Sequence, residues 1–176
     1  SNLEGANLER ANLTKAFLWI ANFQEANLQG AGLELAQLSF SNLTNTNLKN
    51  ANLKGADLWL ANFRRANLQG VNFEGANLFG ARLGEANLKG ANLTKAFLWI
   101  ANLFGANLEE ADLELARLSF SNLTNTNLTN TSLTNTNLKN ANLENTNLFG
   151  ARFRGALMDD SLKEKLTELQ RRENEH

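Results

Sequence analysis

The chain has 176 residues, a formal net charge of −1 and 43% hydrophobic residues, values that are ordinary for one globular domain. It contains no Cys and one His, His176, which excludes disulfides, thiolate metal sites and a catalytic site built on several His side chains. No apolar run approaches the roughly 18 residues that a membrane span needs, and no signal-peptide pattern opens the chain. We therefore expect a cytoplasmic protein with no membrane partner.

From Ser1 to Gly155 the chain repeats a five-residue template without a break in register. The template is a small residue, then Asn or Asp, then Leu or Phe, then two variable residues, as in 51–55 (ANLKG). Helices repeat every 3.6 residues and strands every 2, so this period fits neither as a continuous element. It fits a short extended segment followed by a corner. Four corners close a square coil of 20 residues, and successive coils stack about 4.8 Å apart.

The occupancy of each template position indicates which side chains fill the interior. All 31 third positions are apolar, 27 of them Leu, and the first position is Ala in 22 units. One large and one small inward side chain per side is what a narrow square interior holds. The fifth position is Gly or Asn in 17 units, and these residues tolerate the positive φ of a corner. The second position is Asn or Asp in 23 units, which predicts bonds to the turn backbone or ladders along a column.

The A(D/N)LXX units, such as 6–10 (ANLER) and 141–145 (ANLEN), resemble those of the pentapeptide repeat proteins, which are abundant in cyanobacteria. The resemblance covers about 155 of 176 residues. It implies an all-β solenoid, a right-handed quadrilateral parallel β-helix with the first and third positions inside. It implies little about function, because the family mostly lacks a shared biochemical activity. Its quinolone-resistance branch mimics DNA and binds DNA gyrase, which is the alternative function for this chain.

A longer repeat is superimposed on the five-residue one. Residues 11–22 (ANLTKAFLWIAN) reappear at 91–102, and residues 34–48 reappear at 114–128 with one change. The offset of 80 residues equals four coils, so each copy lies on the same side of the solenoid as its original. This indicates segmental duplication, or two related chains joined in frame. It creates no domain boundary, because the stack of coils is unbroken.

After Gly155 the template stops and a different element begins. We predict a pentapeptide-repeat β-helix of nearly eight coils at 1–157, followed by a C-terminal capping helix and tail at 158–176. Ser161 and Glu164 have the spacing of a capping box, which places the helix at roughly 161–172.

The C-terminal helix carries one apolar stripe. Its members are Leu162, Leu166 and Leu169. We expect this stripe to cover the open end of the solenoid, with Leu157 and Met158 filling the junction. The alternative is a helix that binds a partner.

The first coil has no comparable cover in this sequence. Leu3 and Leu8 are expected at an open end, so we predict that this coil frays or stacks against another molecule. Because the chain starts at Ser1 without Met and already in register, we also expect a trimmed start, and His176 is interpreted as a tag remnant.

Residues 20 apart form columns on the outer surface, and one side collects all three Trp of the protein. We call this side the aromatic face. Its members are Phe17, Trp19, Ile20, Phe40, Trp59, Leu60, Phe79, Phe97, Trp99, Ile100 and Phe120. An apolar strip on the order of 25 to 30 Å long exceeds what monomers usually expose, and Trp and Phe are enriched at interface hot spots. The sequence predicts self-association or binding of another protein here; alternatively, the rings only stack and stiffen the face.

Other functions have weaker support in the sequence. The acidic cluster Glu109, Glu110, Asp112 and Glu114 lies at outward positions of a convex surface, which offers no cleft and no general base. We therefore predict no catalysis, no cofactor, no metal and no small-molecule substrate. Residues 1–155 hold 13 Lys and Arg against 12 Asp and Glu, so no charged stripe predicts a nucleic-acid partner or a DNA mimic.

A Thr-rich run at 124–138 raises the question of ice binding. Its outward residues Thr124, Thr129 and Thr134 are five apart and therefore fall on three different sides, so a flat array is not predicted. The inward residues of the same run are Thr126, Thr131 and Thr136. We expect their hydroxyls to bond backbone carbonyls within the coil.

Overall fold

The computed structural model describes the backbone of residues 1–174 and the side chains of residues 1–168. Every β-bridge pairs, in parallel, two second-position residues that are 20 apart, from Asn2 with Asn22 to Asn137 with Leu157. In the part of the chain that is described, β-structure consists of these single-residue bridges rather than longer strands. The predicted right-handed quadrilateral β-helix, with a helix at its C-terminal end, is confirmed.

The interior of the solenoid is filled by the first and third residue of each unit. From residue 21 to residue 138 all of these side chains are buried, and Ala56 and Leu58 have no exposed area. The Leu53 N–H donates to the Asn72 carbonyl of the next coil (2.8 Å), and the Asn72 N–H donates to the Ala51 carbonyl of the previous one (3.0 Å). The Asn52 N–H in turn donates to the Ala31 carbonyl of the preceding coil (2.9 Å), so an inner coil is hydrogen-bonded to both of its neighbours.

The corners impose positive φ on the fifth residue of every unit. All 31 fifth residues have φ between 52° and 69°, and 21 of them are not glycine. The corner closes with a turn, in which the Ala56 N–H donates to the Leu53 carbonyl at 3.0 Å. Most residues reach this left-handed region only at an energetic cost, and Gly and Asn reach it most easily.

The polar side chains of the template make the two kinds of bond predicted for them. Asn42 Oδ1 accepts the Thr44 N–H at the turn (3.2 Å), and Asn42 Nδ2 donates to Asn22 in the previous coil (3.0 Å). The inward Thr hydroxyls do bond carbonyls, as Thr131 Oγ1 does to Leu108 at 2.7 Å. The prediction that these carbonyls lie in the same coil was wrong, because the acceptor is 23 residues earlier and belongs to the preceding coil.

Helix α1 spans Asp160–Asn174. Leu162 and Leu166 are buried and pack against the core of the solenoid. The predicted cover over the C-terminal end is therefore present in the described residues. Leu169, the third predicted member of the stripe, lies outside the described side chains, as does His176.

Two details of the C-terminal junction differ from the prediction. Helix α1 already includes Ser161, so Ser161 is not the cap; Asp159 precedes the helix, and its carbonyl accepts the Lys163 N–H (3.1 Å). Leu157 does not fill the junction, because it continues the second-position column, pairs with Asn137 and is 52% exposed. Met158 alone of the two packs against the core.

The first coil is less well covered than the coils between residues 21 and 138. Its inward leucines are half-buried, whereas those of the next coils are fully buried; they are Leu3, Leu8, Leu13 and Leu18. Fraying or stacking of this coil stays a prediction. Helix α1 is neither long nor apolar enough to cross a membrane, and the same holds for every helix in the described residues.

Candidate protein-interaction face

The bridges place the aromatic face on one side of the solenoid. Phe17 pairs with Gln37, Gln37 with Asp57, and the same column continues through Phe97 to Arg117. All eleven predicted members lie in the units of this side. Nine of them are exposed, and Phe79 and Phe97 are half-buried. The structure thus brings together every residue of the predicted face.

Ring contacts run along the aromatic face between neighbouring coils. Phe40 contacts Trp59 edge-on with ring centres 4.8 Å apart, and Phe79 contacts Trp99 in the same way at 5.5 Å. Trp99 and Phe120 are tilted at 6.1 Å. Such pairs add about 0.5 to 1.5 kcal/mol each beyond their area burial. The ring stacking considered for this face is therefore present in the central coils, and the stiffening it would provide stays a prediction.

Exposure is greatest where ring contacts are absent from the described chain. Phe17 is 81% exposed, Ile20 73% and Trp19 62%, against 40% for Trp59 and Trp99. Side chains this exposed gain little from packing within their own chain. Stiffening alone does not account for large apolar residues at these positions.

Five corners of this face place a large apolar residue at positive φ. Ile20, Phe40, Leu60, Ile100 and Phe120 all stand at positive φ, between 52° and 61°. Only two other apolar residues do so in the described chain, Leu35 and Leu115. A β-branched or bulky residue in this region is a true outlier, costing on the order of 1 to 2 kcal/mol relative to Gly. Backbone strain of this kind is concentrated at functional sites.

The Asn ladder is interrupted on the aromatic face. On the side of residues 6–10 all eight second positions are Asn, but on the aromatic face only Asn77 and Asn137 are. Asp57 and Arg117 are two of the replacements. Asp57 accepts a hydrogen bond from Asn77 Nδ2 (2.9 Å), and the Arg117 guanidinium lies 5.7 Å from the centre of the Phe97 ring. On this face the repeated Asn–Asn side-chain hydrogen bond between coils is largely replaced by side chains that differ from coil to coil.

Small residues leave notches between the large ones. The fourth-position column reads Trp19, Ser39, Trp59, Phe79, Trp99, Ser119 along successive coils. The Ser39 hydroxyl is buried and has no hydrogen-bond partner among the described residues. Next to this column a depression of about 340 Å³ is lined by Asp57, Trp59, Asn77, Phe79 and Phe97. The surface is therefore ridged rather than flat.

Elsewhere on the solenoid several charged residues are paired between coils. Lys89 Nζ is 3.0 Å from Glu109, and this hydrogen bond is the main cause that raises the pKa of Lys89. Arg65 Nε is 2.8 Å from Glu85, and the hydrogen bond from Arg65 lowers the pKa of the Glu85 carboxyl. The acidic cluster considered above is thus in part an exposed ion-pair network, and such pairs are weakly stabilising.

No cluster of metal-ligating side chains occurs among the described residues. The Thr-rich run behaves as predicted, because Thr124, Thr129 and Thr134 belong to three different sides. Neither feature adds a second candidate site.

A right-handed square solenoid of five-residue units defines a class of repeat protein, and the sequence matches one family model. Eight copies of the family described as pentapeptide repeats match residues 1–39, 32–70, 41–84, 60–94, 81–119 and 116–155. The chain belongs to the pentapeptide repeat family.

Solved structures of the family resemble this chain. HetL, from the cyanobacterium Nostoc sp. strain PCC 7120, is a pentapeptide repeat protein involved in heterocyst differentiation regulation; it is 34% identical, with a TM-score of 0.61 over 90% of this chain and 77% of HetL. QnrB1, a plasmid-mediated fluoroquinolone resistance protein, is 21% identical, with a TM-score of 0.67 over 90% of this chain and 82% of that chain. At that identity the likeness to QnrB1 concerns the fold alone. No curated protein sequence is significantly similar to the chain.

Asp57, Arg117 and Leu157 also lie on this face, and they were not among its predicted members. The sequence feature that could have identified them is the replacement of Asn at the second position of their units. Because Asn at that position has a structural role, each departure from it marks a place where another requirement prevails.

Proposed function

We propose that this protein is a non-catalytic scaffold that binds protein through the aromatic face. The observation that carries the proposal is the placement of all three Trp side chains, between 40% and 62% exposed, on one side of the solenoid. Trp and Phe dominate interface hot spots because each buries a large area on binding. The apolar residues at positive φ on the same face support the proposal. Asn adopts this conformation more easily and is used at other corners, so the apolar residues here indicate a requirement other than stability.

A scaffold role agrees with the rest of the surface. The described residues hold no metal-binding cluster, and the carboxylates of Glu85, Glu109 and Glu110 are engaged by cations of the neighbouring coil. A role of this kind is in keeping with HetL, a relative at 34% identity that is involved in heterocyst differentiation regulation.

The competing function is DNA mimicry, with DNA gyrase or topoisomerase as the partner. It has less support, because a mimic needs an uninterrupted negative surface. Here several acidic residues pair with cations of the neighbouring coil, as Glu74 does with Lys54 at 3.0 Å. We expect the protein to leave the supercoiling activity of gyrase unchanged. Inhibition of supercoiling at stoichiometric amounts would favour the mimic instead.

The proposal is tested by removing the rings without changing the fold. In the double variant Trp59→Ser, Trp99→Ser the fourth-position column keeps a residue it already contains at Ser39 and Ser119. The matched control is Phe104→Ser, Phe149→Ser, which removes two exposed rings from other sides. Circular dichroism first establishes that both variants are folded.

Each folded variant is then immobilised and compared with the unaltered chain for capture of a purified second copy and of proteins from a cell extract. We expect the Trp variant to lose the captured proteins and the Phe variant to keep them. Equal capture by all three would contradict the assignment of the aromatic face as the binding surface.

A further inference from the structure

Two opposite charges, those of Asp57 and Arg117, interrupt the aromatic face. Asp57 is half-buried beside Trp59, and Arg117 is exposed beside Phe97. Among the described side chains, those of residues 1–168, neither Asp57 nor Arg117 has an ion-pair partner. A face that buries its apolar strip on binding also removes water from both charges, so a partner must supply the opposite charge at each position.

We propose that the aromatic face binds a second copy of this chain, packed face to face and antiparallel, with Asp57 of each copy paired with Arg117 of the other. The inference rests on the proposed function, because it names the partner of the same face. It commits to a twofold-symmetric dimer, in which one surface is used by both copies.

The position of the twofold axis follows from the coil numbers. Asp57 lies in the third coil and Arg117 in the sixth, both at the second position of the same side. An axis in the plane of the face, parallel to the β-bridged segments and midway between the fourth and fifth coils, exchanges the third coil with the sixth. Each charge lies one and a half coils from this axis, or roughly 7 Å at the usual spacing. Both ion pairs therefore form together.

The same axis brings Trp59 opposite a small residue, while Phe79 lies opposite Trp99 and Leu60 opposite Phe120. It places Trp59 of one copy opposite the notch at Ser119 of the other. Ile100 lies opposite Gly80, over which the Leu60 side chain of the same chain already packs. Gly80 stands at positive φ (62°) and presents no side chain. A large side chain opposite a small one, as with Trp59 and Ser119, contributes to the shape complementarity of an interface core.

The depression beside Asp57 has the character of a site for a guanidinium group. Its lining includes the Asp57 carboxylate and the rings of Trp59 and Phe79. Arg117 of the second copy arrives opposite Asp57 and can stack on these rings while it pairs with the carboxylate.

Other arrangements leave the charges without partners. In a parallel face-to-face dimer the second-position column lies opposite the fifth-position column, so Asp57 meets Leu60 and Arg117 meets Phe120. Antiparallel registers shifted by one or more coils place each charge opposite an uncharged residue or opposite itself. An unpaired charge removed from water is strongly unfavourable. The proposed register is the one that pairs both.

The internal repeat of the sequence points to the same residue. Residues 34–48 and 114–128 are identical except at one position, where the first copy has Gln37 and the second has Arg117. In the proposed dimer Gln37 lies opposite Asn137, an uncharged pair, and Arg117 lies opposite Asp57. The single departure from the repeat supplies the cation that the dimer needs.

The interface is narrow, because each side of the square solenoid is only one five-residue unit wide. Such an area falls at the low end of specific interfaces, below about 1,200 Å², where affinities are usually weak. We therefore expect the dimer to dissociate in the micromolar range, which sets the concentrations of the test.

The test exchanges the charges and measures self-association by sedimentation velocity. The variants are Asp57→Arg and Arg117→Asp, and the fold accepts both, because Arg82 and Asp112 already occupy second positions. Each variant alone forms two like-charge pairs in the dimer, and we expect its dissociation constant to rise at least about tenfold. An equimolar mixture of the two variants restores both opposite-charge pairs, and its affinity should return to within about threefold of the unaltered chain.

The matched controls are Arg82→Asp and Asp112→Arg, which make the same changes on other sides and should not alter association. Undiminished association of the two single variants, or a mixture that stays as weak as they are, overturns the dimer. A chain that is monomeric up to about 300 μM also overturns it.

Failure of the proposed function and failure of the dimer give different results. If Trp59→Ser, Trp99→Ser loses association while the charge variants keep it, the aromatic face is an interface but the antiparallel register is wrong. If the chain is monomeric and the Trp variant still loses a captured partner, the face binds another protein rather than a second copy, and the dimer is refuted while the scaffold stands.

Discussion

The carboxylate of Asp159 accepts a hydrogen bond from the backbone N–H of Asn140 at 2.6 Å. In every complete coil the fifth-position N–H donates to a fourth-position carbonyl of the next coil, as Phe120 does to Lys139 at 3.0 Å. At residue 159 the chain leaves the solenoid to start helix α1, and the side chain replaces the missing carbonyl. Asp159 thus completes the last of these bonds between coils and directly precedes helix α1.

This relationship makes Asp159 the residue on which the C-terminal cover depends. We expect Asp159→Ala to lower the free energy of unfolding by about 1 to 3 kcal/mol, because it leaves a backbone N–H without its charged acceptor. Asp159→Asn keeps an acceptor oxygen and should cost less. Asp160→Ala is the control, since Asp160 contacts only the exposed Lys163 in the described residues. Urea denaturation measures all three, and equal losses for Asp159→Ala and Asp160→Ala would contradict this role.

The interior tolerates no additional volume at its first positions. Ala56 has no exposed area and lies in a central coil, so Ala56→Leu is expected to destabilise the fold by about 1 to 3 kcal/mol through overpacking. Ala151→Leu, at a half-buried first position near the C-terminal end, is the milder counterpart. Thermal unfolding followed by circular dichroism measures the difference. A stabilised Ala56→Leu variant would show that the bore contains free space.

The strained corners predict an opposition between stability and binding. Ile100 is 47% exposed at φ 52°, and Asn occupies the same conformation at seven other corners, for example Asn125. We expect Ile100→Asn to raise the free energy of unfolding by up to about 1 kcal/mol through relief of strain. The same variant should weaken association through the aromatic face. Denaturation and sedimentation together test it, and a variant that is less stable would mean that packing of Ile100 outweighs its strain.

The pair of Arg65 and Glu85 predicts a dependence on pH. Because the hydrogen bond from Arg65 lowers the pKa of Glu85 from its ordinary value of 4.5, the folded state binds this proton less readily than the unfolded chain does. The contribution of the pair is therefore present above the unfolded pKa and is lost as the pH falls through the lower, folded pKa. Carboxyl NMR titration should show the Glu85 pKa rising in Arg65→Gln. No change would indicate that the ion pair does not persist in solution.

Most of the fold could be predicted because the five-residue period of the sequence differs from the 3.6-residue period of helices and the two-residue period of strands. Once Leu53 and Ala51 are assigned to the inside, the 20-residue coil determines every column, including the one that unites Trp19, Trp59 and Trp99. The junction at Leu157 and Ser161 was predicted less well. There the template stops, and the choice between continuing the column and starting a helix depends on a single side-chain bond that no periodicity encodes.

The candidate site could be predicted only in its apolar part. Large exposed rings stand out in any column, whereas Asp57 and Arg117 resemble ordinary surface charges until their places in the third and sixth coils are compared. Their significance depends on the symmetry of a pair of molecules, and one chain's sequence pattern does not contain that information.

All three Trp side chains lie on the aromatic face, so intrinsic fluorescence reports the solvent access of this face without any label. The most direct test of the central claim is acrylamide quenching of Trp fluorescence, measured on the free chain and again on the associated form. If the aromatic face is the binding surface, quenching should fall clearly on association and stay high in Asp57→Arg at the same concentration. Equal quenching of the free and associated chain would show that the rings stay in water, and would contradict the account.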